Sequence, residues 1–176
     1  MKERPILFSG QMVRAILEGR KTQTRRMVKP QAAILTDEMA RGFGIRPPAV
    51  ENAPVIPCPY GQPGDRLWVR ETWALHPETG SLLYKADDAA PDNIKWKPSI
   101  HMPRKHSRIL LEMTSIRVER LQTISWEDAL AEGTDNDPAT TNAVGSFAKY
   151  WDYINGAEAW DMNPWVWVVG FKKVEV

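Results

Sequence analysis

The sequence predicts an α+β fold, a small mixed β-barrel flanked by helices, and three observations carry that prediction. Several β-type segments follow one another without the regular strand–helix alternation that builds a parallel sheet. Two or three helical stretches fall between them. The last segment, Pro164-Trp165-Val166-Trp167-Val168-Val169-Gly170-Phe171-Lys172-Lys173-Val174, is almost continuously apolar, as a strand buried on both faces is. With 176 residues, no internal repeat and no composition break, residues 1–176 read as a single domain with its own core.

Pro5-Ile6-Leu7-Phe8 is the first strand. Residues 9–18 have helical spacing, with Met12, Val13, Ile16 and Leu17 on one stripe and Gln11, Arg14 and Glu18 opposite. Ser9 is placed to cap that helix and Gly19 to end it in the left-handed conformation. Gly19-Arg20-Lys21-Thr22-Gln23-Thr24-Arg25-Arg26 then brings four cations and two hydroxyls into eight residues, and the chain runs on as a strand toward Val28. Residues 31–63 are rich in proline, alanine and glycine and keep no period. They read as a long excursion with one helical turn near 37–41, closed by the turn Gln62-Pro63-Gly64-Asp65.

In residues 66–74, Leu67, Val69 and Glu71 alternate with Arg66, Trp68, Arg70 and Thr72, the pattern of a half-buried strand. A second excursion covers 74–106. It contains a short strand at 82–86 and a proline-bounded extended loop or edge strand at 97–104. Residues 108–121 hold the longest β signal, interrupted by a bulge or turn before Ile116. Ser125-Trp126-Glu127-Asp128 has the form of a capping box and opens a helix that stops at Gly133. After a polar loop at 134–140, a helix over 142–154 presents Val144, Phe147, Ala148, Trp151 and Ile154 on one face and ends at Asn155-Gly156.

A hydrophobic content of 43% with 26% charged residues describes an ordinary soluble globular chain. The net charge of +1 argues against general coating of polyanions, so any nucleic-acid contact needs a local patch. A single cysteine, Cys58, excludes an intramolecular disulfide and fits a reducing compartment; the expected location is cytoplasmic, with no membrane partner. His76, His101, His106 and Cys58 show no zinc spacing, and there is no P-loop, dinucleotide fingerprint or G-x-S-x-G elbow. Neither a metal nor a cofactor is expected.

The chemistry concentrates around Lys21. A lysine that is partly buried among other cations loses basicity and becomes able to take the proton of a nearby hydroxyl, here that of Thr24. The same turn also reads as a phosphate-binding or simply solvated basic segment. Glu132 stands in the last turn of a short helix, where the macrodipole disfavours an anion. Such a carboxylate either faces solvent or is held by cations, of which Lys21 and the arginines are the obvious ones. Glu71 sits among arginines and pairs by expectation with Arg70 or Arg25. A second basic patch, His101, Arg104, Lys105, His106 and Arg108, together with Trp68, Trp73 and Trp96, reads either as a stacking and phosphate-binding surface for a nucleotide or single-stranded RNA, or as a solvated loop over core tryptophans.

Gly19-Arg20-Lys21-Thr22-x-Thr24-x-Arg26 resembles the G-x-K-x-x-T-x-R signature of ASCH domains. Pro63-Gly64-Asp65-Arg66-Leu67 is similar to that family's turn-and-strand element. Apart from the two excursions the order of elements agrees, and the chain looks most like the longer ASCH proteins of phages and prophages. The resemblance implies a PUA-like barrel. One shorter bacterial branch of the family hydrolyses N4-acetylcytidine to cytidine and acetate, and its catalytic lysine, threonine and glutamate carry over to Lys21, Thr24 and Glu132. This implies an amidohydrolase acting on an acylated nucleoside or nucleobase: Thr24 attacks, Lys21 accepts its proton and Glu132 assists. Arg20, Arg26 or backbone amides stabilise the oxyanion, and Trp68 or Trp73 stacks the base. The alternative is a non-catalytic module for RNA or a modified base that grips phosphate through Arg25, Arg26 and Arg104, or an ASCH-type ribonuclease. The partner in either case is a small nucleoside or RNA. The excursions and the tryptophan-rich strand are not part of the short enzymes' signature.

Overall fold

A computed structural model describes residues 1–29, 44–45, 56–87, 91, 93–134 and 142–175. The expected helical turn near 37–41 and most of the loop at 134–140 lie outside the described residues.

Strand β1 (Glu3–Leu7) leads into helix α1 (Gly10–Leu17). The Ser9 hydroxyl accepts a hydrogen bond from the Met12 amide, and Gly19 takes φ +77°, so both ends close as the sequence predicts. Strand β2 (Gln23–Met27) follows, then the short pair β3 (Gly44–Ile45) and β4 (Ile56–Pro57). Strand β5 (Arg66–Arg70) alternates as expected but ends before Glu71. Trp73 restarts the chain in a separate two-stranded sheet of β6 (Trp73–Leu75) and β7 (Leu82–Tyr84). Strand β8 (Leu110–Arg120), helix α2 (Trp126–Ala131), helix α3 (Ala143–Asn155) and strand β9 (Trp165–Lys173) complete the order.

The main sheet runs β1-β5-β8-β9-β2. Only β1 and β5 are parallel; the other pairs are antiparallel. The fold is therefore α+β as predicted, while the expected barrel is corrected to an open sheet. The strands a barrel would join, β1 and β2, are the two edges. Among the described residues their ends meet through one side chain rather than a ladder: Arg26 Nη2 donates to the Leu7 carbonyl at 2.6 Å.

β9 is buried on both faces because it lies inside the sheet with a helical layer on each side. Trp165, Trp167, Val169 and Phe171 pack with Val13 and Ile16 of α1 and with Leu67, Leu111 and Met113. Val166 and Val168 pack on the opposite face with Ala129 of α2 and with Phe147 and Trp151 of α3. The break near Ser115 is a register shift in the β8–β9 ladder. A Cβ at Gly170 would crowd the Ser115 and Thr114 hydroxyls, so the glycine opposite the bulge leaves both where they are.

Three local expectations change. Leu17 and Ile154, placed on apolar stripes by spacing, are exposed, because each falls at the last turn of its helix beyond the packed layer. Residues 97–104 are neither an extended loop nor an edge strand. They fold as two 3₁₀ turns (Ser99–His101 and Arg104–His106) after one antiparallel bridge from Lys97 to Trp73. The capping box is half formed: Ser125 accepts from the Asp128 amide, while the Asp128 carboxylate turns away to Arg25 and Arg117.

Candidate functional site

The turn after α1 is pinned on three sides. The Lys21 amide donates to the Ala15 carbonyl at 3.0 Å, the Thr22 amide to Ala131 at 2.9 Å, and the Phe171 amide to the Thr22 carbonyl at 2.8 Å. These bonds seat residues 21–23 against the C-terminus of α2, which brings Glu132 to Lys21 across 111 positions of sequence. Gly133 makes the junction possible. It has φ +81°, and a Cβ there would stand 2.7 Å from Ala15 Cβ and 2.9 Å from Lys21 Cβ.

The Lys21 ammonium is fully buried and uses all three of its protons. Nζ donates to the Gln23 carbonyl at 2.8 Å, to the Glu132 carbonyl at 2.8 Å and to Glu132 Oε2 at 3.0 Å. Burial pushes Lys21 below the usual lysine range, against the opposing pull of Glu132. The Gln23 carbonyl belongs to the peptide that joins Thr24, so Nζ lies beside the Thr24 backbone. Thr24 is 1% exposed, and among the described residues its buried hydroxyl has no hydrogen-bond partner. Thr24 and Arg26 alternate to the α1 side of the sheet, where the Phe8 ring lies 5.6 Å from Lys21 Nζ and 5.3 Å from the Arg26 guanidinium.

Arg25 points to the other side, toward the helices α2 and α3. Its guanidinium is fully buried and bonds Glu132 Oε1 at 3.0 Å, Asp128 at 2.7 Å and Glu119 at 2.5 Å. Arg117 joins the same Asp128 and Glu119 carboxylates from the surface. Lys21, Arg25 and Arg117 thus alternate with Glu132, Asp128 and Glu119, three cations against three anions. Burial by itself would lower the Arg25 pKa, but Glu132 with Glu119 and Asp128 outweighs it and holds the guanidinium above its usual value. Burial likewise favours the neutral acid at Asp128, and Arg25 and Arg117 reverse that and hold its carboxyl low. Glu132 is shared between two cations, so its grip on the Lys21 proton is weaker than an undivided pair would give.

Two cavities meet at the edge of β2. The inner one, about 50 Å³, is walled by Arg25, Arg26, Glu132, Phe147 and Tyr150. Tyr150 Oη lies 2.5 Å from Ser9 Oγ at the cap of α1. The outer one, about 560 Å³, is walled by Lys29, Pro57, Pro59, Tyr60 and Trp167. Arg26, Met27 and Asn155 border both. Lys21 and Thr24 line neither; Glu132 is the member of the predicted triad that reaches a cavity.

The structure therefore brings together Lys21, Glu132, Arg25 and Arg26, with Thr24 on the adjoining strand position. Arg20 closes the turn from outside, donating to Glu18 at 2.7 Å and to the Gly133 carbonyl at 3.2 Å. Four predicted binding residues stand elsewhere and line neither cavity. Trp68 is half-buried on β5, between β1 and β8 and away from the β2 edge, with the Arg70 guanidinium 5.5 Å from its ring. Trp73 is a core residue, its ring 4.6 Å from His106 and 4.7 Å from Lys97 Nζ. Arg104 pairs with Glu3 at 2.9 Å.

Glu71 does not pair with Arg70 or Arg25. It forms a two-pronged pair with Arg108, both bonds at 3.0 Å, because β5 ends at Arg70 and turns Glu71 toward the start of β8. Burial raises the Glu71 pKa, opposed by Arg108. Sequence reading missed Glu119, Asp128, Tyr60 and Tyr150. Asp128 was read as part of a capping box, no motif marks the other three, and each of the four enters the site from a different element. Among the described residues no group of three or more His, Cys, Asp or Glu is disposed to hold a metal ion, and no helix is long and apolar enough to cross a membrane.

No family model and no curated protein matches the chain. In three dimensions it is similar to two solved structures. One is protein EF3133 from Enterococcus faecalis V583, of the family DUF984, at 11% identity and TM-score 0.43, covering 99% of this chain and 81% of that one. The other is an ASCH domain from Lactobacillus crispatus JV V101, at 12% identity and TM-score 0.43, covering 98% of this chain and 79% of that one. Likenesses at this level carry no argument about what the chain does.

Proposed function

We propose that the chain is an amidohydrolase that removes the acyl group from an acylated nucleobase amine, with N4-acetylcytidine as the model substrate. The observation that carries the reading is the buried contact between Lys21 and Glu132, set beside a buried Thr24 hydroxyl that has no partner among the described residues. A buried hydroxyl left unsatisfied costs about 1–3 kcal/mol, and proteins retain that cost chiefly where the group has a task.

In this reading Thr24 Oγ attacks the amide carbonyl carbon and its proton passes to Lys21, which reacts as the neutral amine. Burial and the sharing of Glu132 with Arg25 favour that form. The proton then goes to the departing exocyclic nitrogen as the C–N bond breaks, leaving an acyl ester on Thr24. Water hydrolyses the ester, with Glu132 holding Lys21 in place, and releases the acid and the free hydroxyl. Arg26 is the cation disposed toward the oxyanion.

A second reading, a binding module for a modified base or RNA, is favoured by two observations: all three Lys21 protons are already donated, and Lys21 and Thr24 line neither of the two cavities beside β2. Incubation of the purified chain with N4-acetylcytidine, followed by chromatography, separates the two. Release of cytidine by the parent but not by Lys21→Ala or Thr24→Val supports the hydrolase. Hydrolysis by Thr24→Val at the parental rate refutes the mechanism. Binding of the nucleoside without turnover selects the module.

A further inference from the structure

We infer that the outer cleft is a phosphate subsite, so that the preferred ligand is a nucleoside phosphate, free or within a strand, rather than a bare nucleoside. The inference rests on the nucleobase reading above and adds the class of ligand. The inner cavity, about 50 Å³, has space for a few water molecules and accepts an acyl-amide end, not a base with its sugar. The outer cleft, about 560 Å³, has the size of an ordinary small-molecule pocket. A ligand whose amide enters the inner cavity must therefore lay the rest of itself past Arg26, which walls both spaces.

The outer walls suit that remainder. Tyr60, Pro57 and Pro59 supply apolar surface, and Tyr60 carries a hydroxyl as well. The charged residues lining the cleft are Arg26 and Lys29, and among its described lining residues there is no carboxylate. Arg26 places one Nη2–H on the Leu7 carbonyl, yet its buried Nε has no acceptor among the described residues. The site's three carboxylates, Glu132, Asp128 and Glu119, are all held by Arg25, Arg117 and Lys21, so none of them neutralises Lys29. Two cations lining a base-sized cleft that has no carboxylate among its described lining residues, one of them with a buried donor that has no acceptor there, present the recognition chemistry of a phosphate.

Calorimetric titration of the full chain with cytidine, cytidine 5′-monophosphate and a five-residue oligocytidylate tests this without requiring turnover. The monophosphate is expected to bind at least about tenfold more tightly than cytidine at low salt, the effect of one good charge-assisted contact. Tighter binding of the oligonucleotide than of the monophosphate identifies a strand as the source; equal binding identifies the free nucleotide. Lys29→Ala should erase the phosphate advantage, while Lys172→Ala, an exposed lysine paired with Glu112 on β8, should leave it intact. Equal affinity for cytidine and its monophosphate, or an advantage that survives Lys29→Ala, overturns the subsite. The proposed hydrolysis stands or falls on its own assay: a phosphate advantage without deacetylation keeps the subsite and removes the enzyme, and deacetylation without the advantage does the reverse.

Discussion

Glu132→Gln isolates the buried charge pair that joins the two halves of the site. The amide keeps the shape of the side chain and leaves the backbone carbonyl of residue 132 on Lys21, but removes the anion that faces Lys21 at 3.0 Å and Arg25 at 3.0 Å. Arg25 retains Glu119 and Asp128. Lys21 retains no carboxylate, and its side chain is fully buried. Removing one partner of a buried pair costs about 3–5 kcal/mol. Lysine has an escape that arginine lacks, since it can fold neutral. At pH 7 shedding the proton of an unfolded lysine with pKa of about 10.4 costs about 4.6 kcal/mol, which bounds the loss at Lys21. The expected destabilisation is therefore about 3–4.5 kcal/mol at pH 7. The sign of its pH dependence follows from the same group. The folded pKa of Lys21 lies below the unfolded one, so between the two values the unfolded chain binds more protons and stability rises with pH. Losing Glu132 depresses the folded value further and widens that window. Urea unfolding of parent and variant at pH 7 and pH 9.5 should show the difference between them shrinking at the higher pH. A loss below about 1 kcal/mol, or one that is the same at both pH values, would refute the claim that Glu132 holds a buried lysine cation.

Three further outcomes follow from other parts of the structure. Thr24→Val should leave stability unchanged or raise it by up to about 1 kcal/mol in urea unfolding, because it replaces an unpartnered buried hydroxyl with a methyl of the same shape, while abolishing any deacetylation. Gly133→Ala should destabilise by about 2–3 kcal/mol in thermal unfolding, since the left-handed backbone penalty of about 1–2 kcal/mol adds to the contacts with Ala15 and Lys21. Asp65 accepts from the Lys2 amide at 2.7 Å and from Arg4 at 2.9 Å, and these bonds, the Lys2 amide first, hold its carboxyl below the usual range. Its contribution is present above the unfolded pKa of about 3.9 and is lost as pH falls through the lower folded value, so melts from pH 5 to pH 2 should be flatter for Asp65→Asn than for the parent.

Local order was legible where one stretch of chain decides it. Ser9 and Gly19 bracket α1, Ser125 and Gly133 bracket α2, and Asn142 and Gly156 bracket α3, because caps and left-handed ends depend on neighbouring backbone alone. The unbroken apolar run from Trp165 to Phe171 announced a strand covered on both sides, which is the place β9 occupies. The closure of the sheet was not legible. Whether β1 and β2 pair depends on curvature and on the crossing of α1, to which no residue type commits the chain. Glu71 illustrates the same limit: its alternation placed it correctly as buried, but its partner Arg108 follows from where β5 ends.

At the site, residue types and their spacing mark the unusual groups: a basic turn after a glycine-ended helix, a threonine beside it, and a carboxylate where a helix dipole resists one. Tertiary structure alone decided what each of them meets. Lys21 and Glu132 touch because the end of α2 packs on the turn through Gly133, and Arg25 divides the same carboxylate because β2 turns alternate side chains to opposite faces. It also separated Thr24, which is buried without a partner, from the cavities bordered by Arg26. Caps and turns are settled within a few residues of chain, whereas ion pairs and cavities form between segments that only the packing of the sheet against its helices brings together.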